Sequence, residues 1–580
     1  MPRFVLLVAV LLLSQLLLVG CGPSATTTPA PAVRVCWPQD PESLNPVALP
    51  NAFAMQLNNL LYQSLLVVDG PQRRYVPWLA EALPRVQVQD SLTRLSYRLR
   101  PQATWDNGQP ITGRDVLFTL RALRCPGLPN ELLSNMVGFI DEVQLDSTDA
   151  RRFTFVCRGA APEYRTSSGD FPILPEYLLD PQHLLRQVPL AGLTDSVLAP
   201  AQQAAVREFA RQFNDPLRWR RPDQVRGSGP YELVSWQAGQ RLVLRRKARW
   251  WADGLQPAEP KLLAHPARLE FHIIPDPATA LLALRRGDVD LYPNMAAADF
   301  DKLRTSPQAG EFQLYSPPSY RMVVLEMNTR QPLLRQPATR QALLHLLDVP
   351  QLIEATQYGL GQRSVGLVSP NERWAYHDSL PLRRYDPGRA AELLRVAGWQ
   401  RARPNQWQRP TDQAQLALKV HYRAGDRLME TAALLLQQNA AQLGIPLQLQ
   451  PTEASVLSEL RRNGQHELVL RKVYGNPFAY DLRPLLHTAS IGVAGGNTSG
   501  FGSATSDRVL EEIVAAQDSA RKARLLRRLQ LIMHEAAALN VLYYEPNRLA
   551  VTKRLINLQP AGLEPGYDLT TLRAAAPGSK

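Results

Sequence analysis

The chain has 580 residues, 45% of them hydrophobic and 20% charged, enough to bury a large core in more than one domain. Its net charge of +13 raises the question of nucleic acid, but the basic residues are nearly all Arg and are scattered without a long block. That pattern fits a solvated basic surface and argues against a nucleic-acid partner. A mean hydropathy of −0.23 excludes a polytopic membrane protein beyond the N-terminus, and no repeat of solenoid period is visible.

Arg3 precedes an apolar run from Phe4 to Leu13, and a second apolar piece, Leu16 to Val19, ends at Gly20-Cys21. A charged start, a short apolar centre and small residues before a cleavage point describe a secretory signal over residues 1–20. Leu18-Val19-Gly20-Cys21 also resembles the bacterial lipobox, in which Cys21 is lipidated and becomes the mature N-terminus. The competing reading, an uncleaved anchor helix, is short of the roughly 20 residues a span needs and is broken by Ser14-Gln15. Residues 21–32 then read as a lipidated Cys and a flexible tether rich in Pro, Thr and Ala. The chain is thus expected to be exported and held at the outer face of a membrane or in the periplasm. The remaining cysteines are Cys36, Cys125 and Cys157. Cys125 and Cys157 form a possible disulfide in such an oxidising compartment, with three buried apolar thiols as the alternative.

Val33 to Trp37 is a predicted strand, followed by the turn-rich Asp40-Pro41-Glu42-Ser43-Leu44-Asn45-Pro46, a helix over about Ala54 to Gln63 and a strand at Leu65 to Val68. Leu95, Tyr97 and Leu99 alternate as a half-buried strand, and Asn107-Gly108 marks a turn. Thr112, with Asp115 three residues on, starts a helix to about Leu123. Gly227-Ser228-Gly229-Pro230-Tyr231 enters a β-hairpin that ends on Trp250-Trp251, its glycines permitting backbone angles that other residues avoid. Leu269 to Ile273 alternates as a strand, Ala278 to Arg285 is helical, and Asp288 and Asp290 share a strand face. Asp386 caps a helix that begins at Pro387. Leu416 to Tyr422 is a strand, a long helix runs to about Leu443, and Gly444-Ile445-Pro446-Leu447 enters the next strand.

The stretch GSGPYELVSWQAGQRLVLRRKARWW from Gly227 to Trp251 resembles the G-T-G-P-Y…W…G…L…R-N…Y-W signature of the family 5 extracellular solute-binding proteins, the dipeptide and oligopeptide receptors of ABC importers. Ser228 stands where that signature has Thr, and Lys247-Ala248 where it has Arg-Asn. The likeness extends through Leu79-Ala80-Glu81, Trp105-Asp106-Asn107-Gly108-Gln109-Pro110-Ile111, Leu325-Glu326-Met327-Asn328-Thr329, Tyr385-Asp386-Pro387 and Ala397-Gly398-Trp399, so it covers nearly all of the chain beyond the tether.

The resemblance implies an α/β, two-lobed periplasmic-binding-protein-like (type II) fold with an extra subdomain in the first lobe. Its expected parts are residues 33–75 for the start of lobe I, 76–220 for the extra subdomain, 221–320 for the rest of lobe I, 321–542 for lobe II and 543–580 for the return to lobe I. It implies a peptide or peptide-like solute, ABC permease subunits and a membrane reached through a lipid anchor as partners, a monomer, and neither cofactor nor metal. By family position the ligand-facing residues are Asn51, Phe53, Tyr422, Arg423, Tyr474, Gly475, Asn476 and Asp481. Asn476 falls where peptide receptors carry an Asp for the ligand's amine, and Asp481 is its substitute if the loop is reshaped; Arg423 is displaced past Tyr422 relative to the R-x-Y arrangement that meets a ligand carboxylate. A binder or sensor of another solute, such as chelated nickel or haem, keeps the same fold. An exported hydrolase is disfavoured, because neither G-x-S-x-G nor H-E-x-x-H occurs and His534-Glu535 lacks a second His.

Overall fold

The structure is a computed structural model that describes residues 32–195, 198–403, 406–478, 480–492 and 495–575. The signal, Cys21 and most of the tether lie outside the described residues. Within them, no helix is long and apolar enough to cross a membrane.

Two mixed sheets organise the chain. The first has seven strands in the order Phe312–Tyr315, Leu549–Thr552, Leu291–Tyr292, Val33–Trp37, Arg268–Ile273, Arg241–Arg246 and Tyr231–Gln237. Val33–Trp37 runs parallel to both of its neighbours and is covered on both faces. Val35 and Trp37 enter the main core of the first lobe, while Cys36 points the other way, beneath the helix Pro277–Arg286. The second sheet has six strands in the order Gln362–Arg363, Leu539–Pro546, Pro318–Met327, Leu468–Tyr474, Leu418–Arg423 and Leu447–Thr452. A four-stranded antiparallel sheet, Arg85–Gln89, Leu92–Arg98, Arg152–Arg158 and Ile140–Leu145, shares the apolar core of the first lobe.

The hairpin entry Gly227-Ser228-Gly229 is a point of close approach. A Cβ on Gly227 would lie 2.4 Å from the Leu61 carbonyl oxygen and one on Gly229 2.4 Å from that of Leu60, and neither glycine has a positive φ. The expected reason, special backbone angles, is therefore replaced by packing: only glycine lets this segment seat against the end of the helix Ala52–Leu61. The seat is pinned by side chains. Gly229 N–H donates to Leu61 O at 2.9 Å, Trp250 Nε1 donates to Ser228 O at 2.9 Å, and Trp251 Nε1 donates to Gln63 Oε1 at 3.0 Å. Lys247 Nζ donates to Gly227 O at 2.5 Å, and burial pushes its amine down to about 8.

Among the described residues the chain passes between the two large sheets twice, after Tyr315 and after Pro546. The two crossings lie side by side: Asn547 N–H donates to Pro317 O at 2.9 Å, Arg321 Nη2 donates to Asn547 Oδ1 at 3.0 Å, and Ser319 Oγ donates to Glu545 O at 2.5 Å. Local signals set the helix starts as read. Thr112 and Asp115 close a capping box before Gly113–Leu123, and Asp386 Oδ1 accepts from Arg389 N at 2.8 Å.

Cys36, Cys125 and Cys157 are buried free thiols, so the possible bridge between Cys125 and Cys157 is not formed. Cys125 follows the end of the helix Gly113–Leu123. Cys157 is locked in a central strand opposite Thr93 and Ile140. Burial pushes each of the three thiols up to about 12, which makes them inert packing groups.

Candidate functional site

Beside the crossings the first lobe holds a cavity of about 290 Å³. Three segments wall it: the face of Ala52–Leu61 that carries Met55, Gln56, Asn59 and Leu60, the hairpin strand Leu66–Asp69 with the following Gly70-Pro71, and the return segment from Gln559 to Thr570. The return segment also bears on the crossings. A Cβ on Gly562 would lie 2.1 Å from Pro318 O, and Asn547 Nδ2 donates to Ala561 O at 2.9 Å. Trp78 adds an aromatic wall, its indole N–H donating to Lys261 O at 3.1 Å.

Asp170 lies in the cavity wall, brought there by the segment that follows the subdomain sheet. Tyr75 OH donates to its Oδ2 at 2.7 Å. Burial pushes the Asp170 carboxyl above its ordinary value, and the tyrosine bond pulls it only partly back. The same tyrosine touches the second lobe: its ring lies edge-on to Phe478, with centroids 4.9 Å apart. Next to it Arg73 Nη1 meets Glu372 Oε1 at 2.9 Å and donates to Asn371 O at 3.1 Å. Glu372 is held in turn by Tyr320 OH at 2.6 Å and Trp374 Nε1 at 3.0 Å. Glu163 and Lys522 pair farther along the same seam. The cavity therefore sits in one lobe, and Tyr75, bonded to the Asp170 of its wall, lies against the other.

The residues expected to face a ligand are not brought together here. Asn51 caps the helix Ala52–Leu61, its Oδ1 accepting from Phe53 N at 3.1 Å and Ala54 N at 3.0 Å. The Phe53 ring packs on Trp37 at 5.0 Å. Tyr422 is buried in the core of the second lobe, while Arg423, next along the strand, is exposed. Tyr474 is 68% exposed at the end of its strand. Gly475 N–H donates to Tyr320 O at 2.8 Å. Asn476 Oδ1 accepts from Phe478 N at 2.9 Å and so shapes the loop that presents Phe478. Asp481 is chelated by Arg483, Nε at 2.8 Å and Nη2 at 2.7 Å, which holds its carboxyl below the usual range. The sequence reading missed Tyr75, Asp170, Arg73, Glu372 and Phe478. Trp374 and Phe478, aromatic residues in loops rather than in periodic segments, were the available signal.

Two other carboxylates tie elements of the first lobe together. Asp290 accepts from Arg34 N at 2.8 Å and Arg34 Nη2 at 2.9 Å, and also pairs with Arg554, which ties the first strand to the return segment. Asp106 pairs with Arg226 at 2.9 Å. No group of three or more His, Cys, Asp or Glu among the described residues could hold a metal ion.

The model of the bacterial extracellular solute-binding proteins, family 5, matches residues 74–490. The chain belongs to that family. Family 5 relatives align along most of its length. The nickel-binding periplasmic protein of Escherichia coli (strain K12) is 23% identical over 528 residues, covering 90% of each chain. The probable di/tripeptide-binding protein 5 of Pseudomonas aeruginosa (strain UCBPP-PA14) is 24% identical over 577 residues, covering 96% of this chain and 95% of that protein. Among solved structures, the oligopeptide-binding protein AppA of Bacillus subtilis in complex with a nonapeptide superposes with a TM-score of 0.67 at 19% identity, over 94% of this chain and 99% of that one. The fold is the two-lobed type II periplasmic-binding arrangement, and the family is one of solute-binding proteins rather than enzymes.

Proposed function

We propose that this family 5 protein is a lipid-anchored receptor of an ABC importer. It captures a peptide or peptide-like solute between its lobes and delivers it, as a monomer, to a permease. The observation that carries this reading is the cavity of about 290 Å³ beside the crossings, whose wall residue Asp170 is bonded to Tyr75, itself packed on Phe478 of the second lobe. Rotation about two adjacent crossings opens such a site to solvent and closes it again, and closure makes the ligand's hydrogen bonds in a water-poor setting. Anchoring rests on Cys21 and the preceding lipobox-like residues, and two or more acyl chains on that Cys suffice for stable attachment. A Cys21→Ser variant is expected to leave the membrane fraction, and its retention there would overturn the anchor.

A thermal-shift screen of di- to pentapeptides tests the solute class. A bound solute at 100 times its dissociation constant adds about 2.7 kcal/mol. The di/tripeptide-binding relative supports the peptide arm of this reading. The nickel-binding relative, similar along 90% of both chains, supports a second arm in which the solute is a chelated metal. Nickel chelates and haem therefore belong in the same screen. A shift with these and none with peptides would assign the protein to that second class.

A further inference from the structure

We propose that a basic groove at the far end of the first lobe is a docking face for the anionic phospholipid headgroups of the membrane that carries the anchor. The inference rests on the lipid anchor proposed at Cys21 and adds which end of the molecule meets the bilayer.

The place of the groove makes the first argument. It measures about 760 Å³, and its charged lining is Arg285, Arg286, Glu311, Lys553 and Arg554. Arg554 Nη2 donates to Ala32 O at 3.1 Å, so the point where the tether joins the folded lobe is held at the rim of the groove. Cys21 and Ala32 are 11 residues apart in the sequence. Even a fully extended chain of that length spans no more than about 40 Å, so an acylated Cys21 keeps the groove within that distance of the bilayer.

Topology makes the second. The strands Phe312–Tyr315 and Leu549–Thr552 run antiparallel, with Phe312 opposite Thr552 and Tyr315 opposite Leu549. Both crossings leave from the end that holds Tyr315 and Leu549, whereas Phe312, Thr552 and Lys553 line the groove at the other. Val33 begins its strand at that same far end, as the pairing of Val35 with Leu291 and of Leu291 with Val551 requires. A protein resting on the groove therefore turns its crossings and second lobe away from the membrane.

The third argument is charge. Glu311 is the single carboxylate of the lining. Behind it, Asp288 lies 3.7 Å from Arg286, and Asp290 serves Arg34 and Arg554 together. Among the described residues the side chains of Arg285 and Lys553 make no hydrogen bond or ion pair. Five cations thus face three carboxylates, with two of the cations uncommitted. The neighbouring helix Ala297–Arg304 is balanced pair by pair instead, Lys302 with Asp299 at 3.5 Å and Arg304 with Asp301. A phosphodiester complements the groove, since it accepts a guanidinium as a fork and an ammonium as a point charge. The +13 of the whole chain draws it toward any anionic bilayer, and the tether decides that this end arrives first.

The test places the full chain, extracted from membranes, in vesicles of phosphatidylcholine or of an equimolar mixture of phosphatidylcholine and phosphatidylglycerol, and follows hydrogen–deuterium exchange. Exchange is expected to slow over residues 284–287, 310–312 and 552–554 on the anionic vesicles alone, and to recover in high salt. The double variant Arg286→Glu with Lys553→Glu changes two exposed side chains. It should lose that protection while melting as the wild type does. Equal exchange on the two vesicle types, or protection kept in the double variant, would overturn the docking face and leave the anchor intact. Mass spectrometry of the N-terminus checks the anchor separately. If Cys21 carries no acyl group the anchor reading fails, and cosedimentation with the same vesicles becomes the readout. Salt-sensitive binding to the anionic vesicles that falls about 10-fold or more in the double variant would support the face without the anchor. No binding, or equal binding of the two proteins, would overturn the face as well.

Discussion

Glu326 in the second lobe and Asp170 in the first are both carboxylates withdrawn from water, and their surroundings differ completely. Glu326 is fully buried in the strand Pro318–Met327 and is met by Arg471 at 2.7 Å, Arg461 at 3.2 Å, the His466 imidazole at 3.2 Å and Thr498 Oγ1 at 2.6 Å. Burial alone would raise its pKa, but Arg471 first, then His466 and Arg461, more than reverse the effect and hold it well below the ordinary value. Among the described residues Asp170 has a side-chain hydrogen bond from Tyr75 alone, and its pKa is raised. A carboxylate whose partners all come from its own chain serves the fold. One that meets a single phenol on a cavity wall does less to hold elements together.

The comparison breaks first at Glu326. Glu326→Gln leaves two guanidinium groups without their counter-charge, and chemical denaturation is expected to show a loss of about 3–5 kcal/mol. A loss below about 1 kcal/mol would mean that the network is not what holds this part of the second lobe. The contrast sharpens with pH. A carboxyl with a lowered folded pKa contributes stability that is present above its unfolded value near 4.5 and lost as pH falls through the folded value. For Asp170 the sign is opposite: the contribution is complete below the unfolded value near 3.8 and lost as pH rises through the raised folded value. Melting temperatures should therefore show Glu326→Gln losing most of its disadvantage in acid. Asp170→Asn should gain relative to wild type between about pH 4 and pH 7, by up to about 1 kcal/mol. A destabilised Asp170→Asn at pH 7 would give that residue a structural role after all. The smallest effect is expected at the seam between the lobes. Arg73 is 41% exposed in its pair with Glu372, so Arg73→Ala should change stability by no more than about 1 kcal/mol. Its signature is a larger radius of gyration in small-angle scattering of the unliganded protein. An unchanged radius would remove this pair from lobe closure.

What could be read from the sequence was what the chain settles over short distances. Thr112 with Asp115, Asp386 before Pro387, and the hairpin from Tyr231 to Arg246 follow from neighbouring residues, and the structure has them in place. The Gly-Ser-Gly-Pro-Tyr stretch was recognisable as a pattern, but its physical reason was hidden, because the atoms it must clear belong to Leu60 and Leu61. The cleft was the least legible part. Tyr75 and Asp170 are 95 residues apart, and Arg73 and Glu372 are 299 apart, with no periodicity linking either pair. Family position gives no view of the local surroundings of individual side chains. On the strand Leu418–Arg423 alternate residues are buried, which sends Tyr422 into the core and Arg423 to solvent, and the local pairing of Asp481 with Arg483 is invisible to a motif match.

The return segment is at once a wall of the cavity and a bearing for the crossings, since Gly562 rests on the Pro318 carbonyl and Ala561 is tied to Asn547. If the lobes turn about the crossings as proposed, whatever fills the cavity would lean on the same few residues. Occupancy and swing are then two readings of one mechanical variable. On the proposed reading, no relay would have to carry a message from pocket to axle.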